Sequence, residues 1–372
     1  MDTQRLKDNF ARVAMHGDEV PLFFYADLFL GHPETRGMFP LAMDVQRDRL
    51  VSALGQVVAD VDNTDALVPF LRGLGRDHRK FGVIRDHYAA VGTSLINTLR
   101  YFSGPEWSAE LEADWTDAYI LAAQTMIEAA DQDEQGNPAW WEATVVSHER
   151  RSLDTAVFRV TTSEPLTYVP GQSVSLESSM APRHWRLYSM ANAPRDDGTL
   201  DFHVHMVDGG TVSPVLTYQI RVGSRLKLGP VVGELRLAAM SSTRDILMVA
   251  GGTGLAPLKA IVEQIAGFRN PPQVHLFFGA RHADGLYDLP HLEKMAAQWP
   301  WFTVTPAVSE DPGYPGERGL ISDVVTRQGS WNRHEAFICG PPAMVAASVS
   351  QLTAAGMPED RIHTEDFGGE VA

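Results

Sequence analysis

Three short segments in the second half of the chain carry side chains suited to holding a nucleotide cofactor: Arg186-Leu187-Tyr188-Ser189, Gly251-Gly252-Thr253-Gly254-Leu255-Ala256-Pro257 and Cys339-Gly340-Pro341-Pro342. Each comes after a strand-like apolar run. Alternation along a strand places Arg186 and Tyr188 on one face, a cation for a phosphate beside a ring that can stack on a planar heterocycle, while Ser189 can bond that heterocycle's edge. The glycines at 251, 252 and 254 fall where a buried strand hands over to a helix. Backbone there can approach a pyrophosphate, and the helix N-terminus supplies free N–H groups and a partial positive charge. Gly209-Gly210-Thr211-Val212-Ser213 is a second stretch able to wrap a pyrophosphate with backbone amides and a hydroxyl. Cys339 places a thiol at the carboxyl edge of the last buried strand, where open α/β sheets bind ligands; its alternative reading is a small core residue. Singly, each segment also fits an ordinary turn or surface strand. Their order is what suggests a flavin and a nicotinamide held in succession.

The elements that must position these segments follow from hydrophobic period. From Leu6 to about Ala130 apolar residues recur at helical spacing, with breaks at His32-Pro33-Glu34, Val61 to Thr64 and Ser103-Gly104-Pro105. The polar run Asp131 to Pro138 reads as a linker. Beyond it the period falls to two: Trp140 to Val146, Thr155 to Thr162, Gln172 to Leu176, Trp185 to Met190, Leu200 to Met206 and Arg225 to Leu228 predict an antiparallel barrel or sandwich. From Asp245, buried strands (Ile246 to Ala250, Val274 to Phe278, Phe302 to Val308, Ala336 to Cys339) alternate with helical stretches such as Leu255 to Phe268 and His291 to Trp299. That alternation predicts a parallel sheet covered by helices. The fold expected is multidomain: all-α over 1–132, an antiparallel β-barrel over 139–240, and a Rossmann-like α/β domain over 241–372.

Composition narrows the partners. The formal net charge of −16 argues against nucleic acid and against anionic lipid surfaces, which need clustered Lys and Arg. No run approaches the ~18 apolar residues of a membrane span, and the first ten residues lack a signal peptide's apolar core. With a single cysteine there is no internal disulfide framework, in keeping with a reducing cytoplasm. Small-molecule partners and a cytoplasmic monomer are the expectation.

In the helical third, Leu71, Leu74, His78 and Phe81 share one face, so His78 points inward, either as a satisfied core residue or as a metal ligand. Tyr25 shares a stripe with Leu22 and Leu28/Phe29, which puts a phenol in the core. Gln46, Leu50 and Leu54 recur at i, i+4, i+8, and Phe39 follows the His-Pro turn at a corner. His87 is the rival for a metal but lacks the apolar flank.

The barrel and α/β motifs, with Pro170-Gly171-Gln172 before them and Glu365-Asp366-Phe367-Gly368 after, resemble the ferredoxin-reductase superfamily over roughly residues 140 to 372. Together with the helical third, the whole chain resembles the flavohaemoglobins, which fuse a globin to a flavin reductase. That resemblance implies haem b, FAD and NAD(P)H as cofactors. It implies His78 as the ligand of the haem iron, Tyr25 and Gln46 as a distal polar pair, Leu50 as the distal wall, Phe39 packed on the haem, and Tyr88 beside the proximal histidine. In the reductase half it implies FAD contacts from Arg186, Leu187, Tyr188, Ser189, Gly210, Val212 and Ser213. It further implies nicotinamide contacts from Gly251, Gly252, Thr253, Gly254, Cys339, Gly340 and Pro341, and Glu365 and Phe367 near the flavin. Where such proteins carry a proximal glutamate, counting from Trp115 gives Gln132, with Asp131 and Glu128 close by. This departure, the Met-Ala-Asn-Ala-Pro run after Ser189 and the form of the nicotinamide loop resemble a divergent actinobacterial branch linked to lactate oxidation. The activity implied is nitric oxide dioxygenation, in which NAD(P)H, FAD and haem convert NO and O2 to nitrate. The alternatives are a flavin-dependent NADH or lactate dehydrogenase with the haem as electron sink, and a haem-based gas or redox sensor. Arg281, after the second strand of the α/β domain, could meet a 2'-phosphate or be a solvated surface residue.

Overall fold

The computed structural model describes residues 1–237 and 244–365. The expected boundary at 240/241 and the expected flavin contact Phe367 lie outside the described residues. The chain forms two compact units, Met1–Trp140 and Trp141–Ala372.

The first unit is all helical: α1 (Thr3–Ala14), α2 (Glu19–Gly31), α3 (Asp44–Ala59), α4 (Thr64–His78), α5 (Arg85–Ser103) and α6 (Ala109–Glu134). Side chains of Asp2 and Ser108 accept the free N–H groups of Arg5 and Leu111 and so fix the starts of α1 and α6. Leu6 and Val13 of α1 join Phe24, Leu28, Leu95, Leu99 and Trp115 in the main core. A buried amide ties three helices: the Trp115 indole donates to Asn9 Oδ1 at 2.9 Å, and Asn9 Nδ2 donates to Ser103 Oγ at 2.8 Å.

The run expected as a linker is only half linker, since Asp131 to Glu134 form the last turn of α6. The reason is electrostatic. Asp133 pairs with Arg79 in a largely buried contact and Asp131 with Arg85 at 2.7 Å, so residues that look solvated in sequence are held on the helix. The polar turn shrinks to Gln135–Pro138.

The second unit begins with a curled six-stranded antiparallel sheet in the order β4-β3-β6-β1-β2-β5. Its strands are β1 (Trp141–Arg150), β2 (Thr155–Thr162), β3 (Ser173–Ser178), β4 (Ala181–Ser189), β5 (Thr199–His205) and β6 (Arg225–Val232). A bridge between Met190 and Phe202 brings its two edges together, which closes the barrel. Phe158, Phe202, Leu176 and Leu226 fill the interior and are almost fully buried.

Six parallel strands follow, in the order β10-β9-β8-β7-β11-β12. They are built from β7 (Ile246–Gly251), α7 (Leu255–Ala266), β8 (Val274–Ala280), α8 (Leu289–Gln298), β9 (Phe302–Val308), β10 (Glu317–Arg318), α9 (Ile321–Gln328), β11 (Glu335–Cys339), α10 (Pro342–Ala354) and β12 (Ile362–Thr364). The two edge strands β10 and β12 were not anticipated: two and three residues are too few to show a period. Every residue of β7 is buried, as expected of a central parallel strand with helices on both faces. Among the described residues no helix is long and apolar enough to cross a membrane.

One glycine governs the packing of α4 on α6. A Cβ on Gly75 would fall 2.2 Å from the Met126 carbonyl oxygen, whereas a Cβ on Gly73 meets nothing within 4 Å. Gly75→Ala is expected to destabilise the helical unit by about 1–3 kcal/mol through overpacking, and Gly73→Ala to leave it unchanged or stabilise it by about 0.5–1 kcal/mol. Denaturant midpoints followed by helical circular dichroism check both, and equal midpoints for the two variants would contradict the close approach.

Candidate functional site

In the second unit, a cleft of about 980 Å³ lies between the barrel and the parallel sheet. Two motifs singled out in the sequence form its floor. β7 and β11 are hydrogen-bonded neighbours, and the loops leaving them pack so closely that a Cβ on Gly254 would fall 2.4 Å from the Cys339 carbonyl oxygen, and one on Gly340 3.0 Å from Gly251. Gly252 has φ +52°, and a Cβ there would meet nothing within 4 Å, so its backbone faces open space at the entry to α7. This is a cradle of the shape and polarity a diphosphate needs.

Gly340 and Pro341 line the cleft, whereas Cys339 is completely buried in the core with Met248, Ala250 and Leu255. Burial drives its thiol far above the usual range, so this sulfur offers packing rather than acid–base chemistry.

The barrel wall is supplied by β4. Arg186, Leu187, Tyr188 and Ser189 all line the cleft, with an Arg186 N–H donating to the Trp185 carbonyl at 2.9 Å. Burial pushes the Tyr188 phenol well up, keeping its ring neutral. At the adjoining turn, Gly210, Val212 and Ser213 also line the cleft, and Ser213 Oγ accepts the Val207 N–H at 3.0 Å. That bond uses one oxygen lone pair and leaves the hydroxyl hydrogen to donate. Arg281 lines the opposite side, at the end of β8.

Glu365 closes this constellation. Ser173 and Ser189 donate to its two carboxylate oxygens at 2.7 and 3.2 Å. Burial outweighs both hydrogen bonds and lifts the carboxyl to about 7, so it exchanges a proton near neutrality beside the β4 hydroxyl.

The cleft also contains groups that the sequence reading missed: His203, His205, Tyr287, Ser309 and Glu310. The available signal was the i, i+2 pair of histidines on β5. On a strand with apolar alternation, that pair is also what an ordinary barrel strand's polar face shows.

In the helical unit, His78 ends α4 and its Nδ1 lies 2.7 Å from the Leu74 carbonyl. Nδ1–H therefore donates to that oxygen, and the Nε2 lone pair is left as a ligand, the tautomer a haem iron requires. Burial lowers the pKa of this ring, which stays neutral. The rival His87 is engaged locally, where its Nδ1 accepts the Ile84 N–H at 3.2 Å and caps α5.

Tyr25 is buried in an aromatic group with Phe24, Phe29 and Phe39, and its hydroxyl donates to the Gln46 main-chain oxygen at 3.3 Å. Burial raises this phenol to about 12. Leu50 packs in the same core and lines a 330 Å³ apolar cavity whose walls include none of Tyr25, Phe39, Gln46 or His78.

Tyr88 packs with Leu71 and Leu74, the turn that holds His78, and burial followed by the charge of Asp131 raises its phenol to about 12. Asp131 of α6 is the charge that acts on Tyr88, and both Asp131 and Gln132 are exposed. The donor set therefore fits a haem on the His78 side and a dinucleotide pair in the cleft.

Comparison with known proteins agrees with this division. Globin matches residues 22–126, the oxidoreductase FAD-binding domain 142–236 and the oxidoreductase NAD-binding domain 248–350. The flavohemoprotein of Bordetella parapertussis is 27% identical over 392 residues, covering 96% of this chain and 95% of that protein. The ferredoxin–NAD(P)+ reductase component of the naphthalene 1,2-dioxygenase system of Pseudomonas putida is 36% identical over 264 residues, covering 67% and 78%. The flavohemoglobin of Malassezia yamatoensis, solved with FAD and heme, shares the fold with a TM-score of 0.80 at 17% identity, covering 98% of each chain. The chain belongs to the flavohaemoglobins and is an NAD(P)H-dependent oxidoreductase that uses haem, FAD and NAD(P)H.

A carboxyl whose folded pKa lies above its ordinary value contributes stability that is full below about 4.5 and lost as pH rises through about 7. The unfolding midpoint of the wild-type reductase unit should accordingly fall between about pH 4.5 and 7 more steeply than that of Glu365→Gln. Parallel profiles would show that Glu365 does not titrate there.

Proposed function

We propose that the protein is a nitric oxide dioxygenase. The observation that carries this reading is Tyr25: a buried phenol, kept protonated through neutral pH, inside an aromatic core beside Gln46. Haem, supplied with electrons from NAD(P)H through FAD, would provide the chemistry that joins dioxygen to nitric oxide as nitrate. His78 would hold it through Nε2, with Phe39 packed against it and Leu50 keeping water out. The Tyr25 hydroxyl can turn from the Gln46 carbonyl toward a partly negative oxygen, and in a dry core such a bond is stronger than in water. Tyr88, with Asp131 behind it, supports the proximal helix turn from which His78 projects. In the cleft, Arg186 and the Gly251–Gly254 turn would receive phosphates, Tyr188 the flavin ring, and Glu365 and Ser189 would hold a proton at its edge.

The test is NADH-driven consumption of nitric oxide by the full chain loaded with haem and FAD, with nitrate measured as product. Many turnovers per haem are expected. In Tyr25→Phe the dioxygen dissociation rate should rise about tenfold and nitric oxide turnover fall, the size expected for one hydrogen bond to a developing charge. An unchanged dissociation rate would remove this role from Tyr25. His78→Ala should purify without haem while retaining FAD, and haem retained at full occupancy would reassign the iron ligand.

A second reading is favoured by the 36% identity to an oxygenase reductase component, higher than that to the flavohemoprotein of Bordetella parapertussis. Here the reductase unit would pass electrons to an external acceptor, with NADH or lactate as donor. Reduction of an added quinone or cytochrome much faster than nitric oxide consumption would favour it.

A further inference from the structure

β5 turns Phe202 and Val204 into the barrel core, so Asp201, His203 and His205 occupy its other face. The strand packs against the turn Gly252–Gly254 at the entry to α7. Asp201 is bound there by Arg159 and Arg195 at 2.6 and 2.9 Å, and His205 Nδ1 lies 3.3 Å from Thr155 Oγ1.

His203 is different. It lines the cleft, is 3% exposed, and its Nδ1 lies 2.8 Å from the Tyr287 hydroxyl, yet its Nε2 is buried with no partner. A buried ring nitrogen left unpaired is rare enough to need a cause, and a ligand that completes its bonding is one.

The protonation of the pair identifies the ligand's chemistry. Burial, reinforced by the nearby Lys259 ammonium, lowers the imidazole to about 3, and burial drives the Tyr287 phenol far up. Both groups are therefore neutral. Of the two neutral tautomers, the one in which the Tyr287 hydroxyl donates to Nδ1 carries its single proton on Nε2. His203 then offers the cleft an uncharged donor, next to a glycine turn whose backbone suits phosphate oxygens.

We infer that His203 is a further cofactor ligand, its Nε2–H donating to a diphosphate oxygen of a dinucleotide bound in the cleft, with Tyr287 as the positioning residue that fixes the ring's tautomer. The inference rests on the FAD and NAD(P)H assignment and is independent of the reaction at the haem. Both cofactors carry a diphosphate, so the experiment separates them.

On the full-length protein, FAD affinity is read from flavin fluorescence on release, and NAD+ affinity from calorimetric titration of the FAD-loaded form. His203→Phe keeps the ring's volume without its nitrogens and should weaken one of the two by about tenfold, the size of a lost hydrogen bond to a charged group. Loss confined to FAD assigns the flavin diphosphate, and loss confined to NAD+ assigns that of the nicotinamide cofactor. His203→Gln, whose amide reaches the Nε2 position, should recover most of the affinity. His203→Asn, which reaches only the Nδ1 position, should not, and Tyr287→Phe should show a smaller loss. Unchanged dissociation constants for both cofactors in His203→Phe overturn the inference. If that variant does not fold, equal affinities in the Gln and Asn variants overturn it.

Discussion

The cleft depends on a steric constraint where β7 meets β11. From β7 the chain winds outward through β8 and β9 on one side, then returns to lay β11 against β7's other edge. Such a reversal is where loops diverge and open sheets leave a crevice. For that crevice to have a backbone floor, the two loops must lie in contact, and no side chain beyond hydrogen fits at 251, 254 or 340 without displacing Met344, the Cys339 carbonyl or Gly251. The glycines therefore place main-chain N–H groups at the carboxyl edge of the sheet. Arg186 and Ser213 add side-chain groups to a floor that this contact has already fixed, and Glu365 stands behind Ser189, which donates to it at 3.2 Å.

Burial then assigns each titratable group a state. Tyr25, Tyr88 and Tyr188 are held as neutral phenols, which can donate but not carry charge, and His78 is held as a neutral base with its lone pair free. Cys339 is held as an inert thiol. Glu365 is balanced, because two serine hydroxyls oppose its desolvation and bring it to about 7. Across the two units the same force, removal from water, produces donors, a ligand and a proton-exchanging acid, and the partner each group finds decides which.

The sequence made legible whatever repeats or punctuates. Period 3.6 up to Ala130 and period two from Trp140 marked the change from helices to barrel, and β2 and β9 were bounded to the residue. The glycine motifs were legible because glycine is the residue that a close approach demands. What stayed hidden was set by distant partners. Asp131 and Asp133 read as linker from composition, whereas in the fold they pair with Arg85 and Arg79 from the last turn of α6. His203 was unreadable because its meaning comes from Tyr287, 84 residues away.

The polar seam between barrel and parallel sheet has a physical purpose that its energy does not explain. Arg151 of the barrel lies 3.6 Å from the buried Asp288 of the α/β layer, which Lys259 of α7 holds at 3.3 Å, and Arg195 bridges Asp201 of the barrel and Glu263 of α7. Buried ion pairs add little net stability, because desolvation offsets most of their attraction, but a displaced partner leaves a bare charge at a cost of about 3–5 kcal/mol. An apolar seam could slide with small loss. A seam of directional pairs has one register, and hydride transfer between two cofactors held by different layers needs that register, since an error of about 1 Å can cost ~100-fold in rate. The charges on α7 and β5 thus exchange stability for alignment, and they do so beside the glycine turn where a dinucleotide would lie.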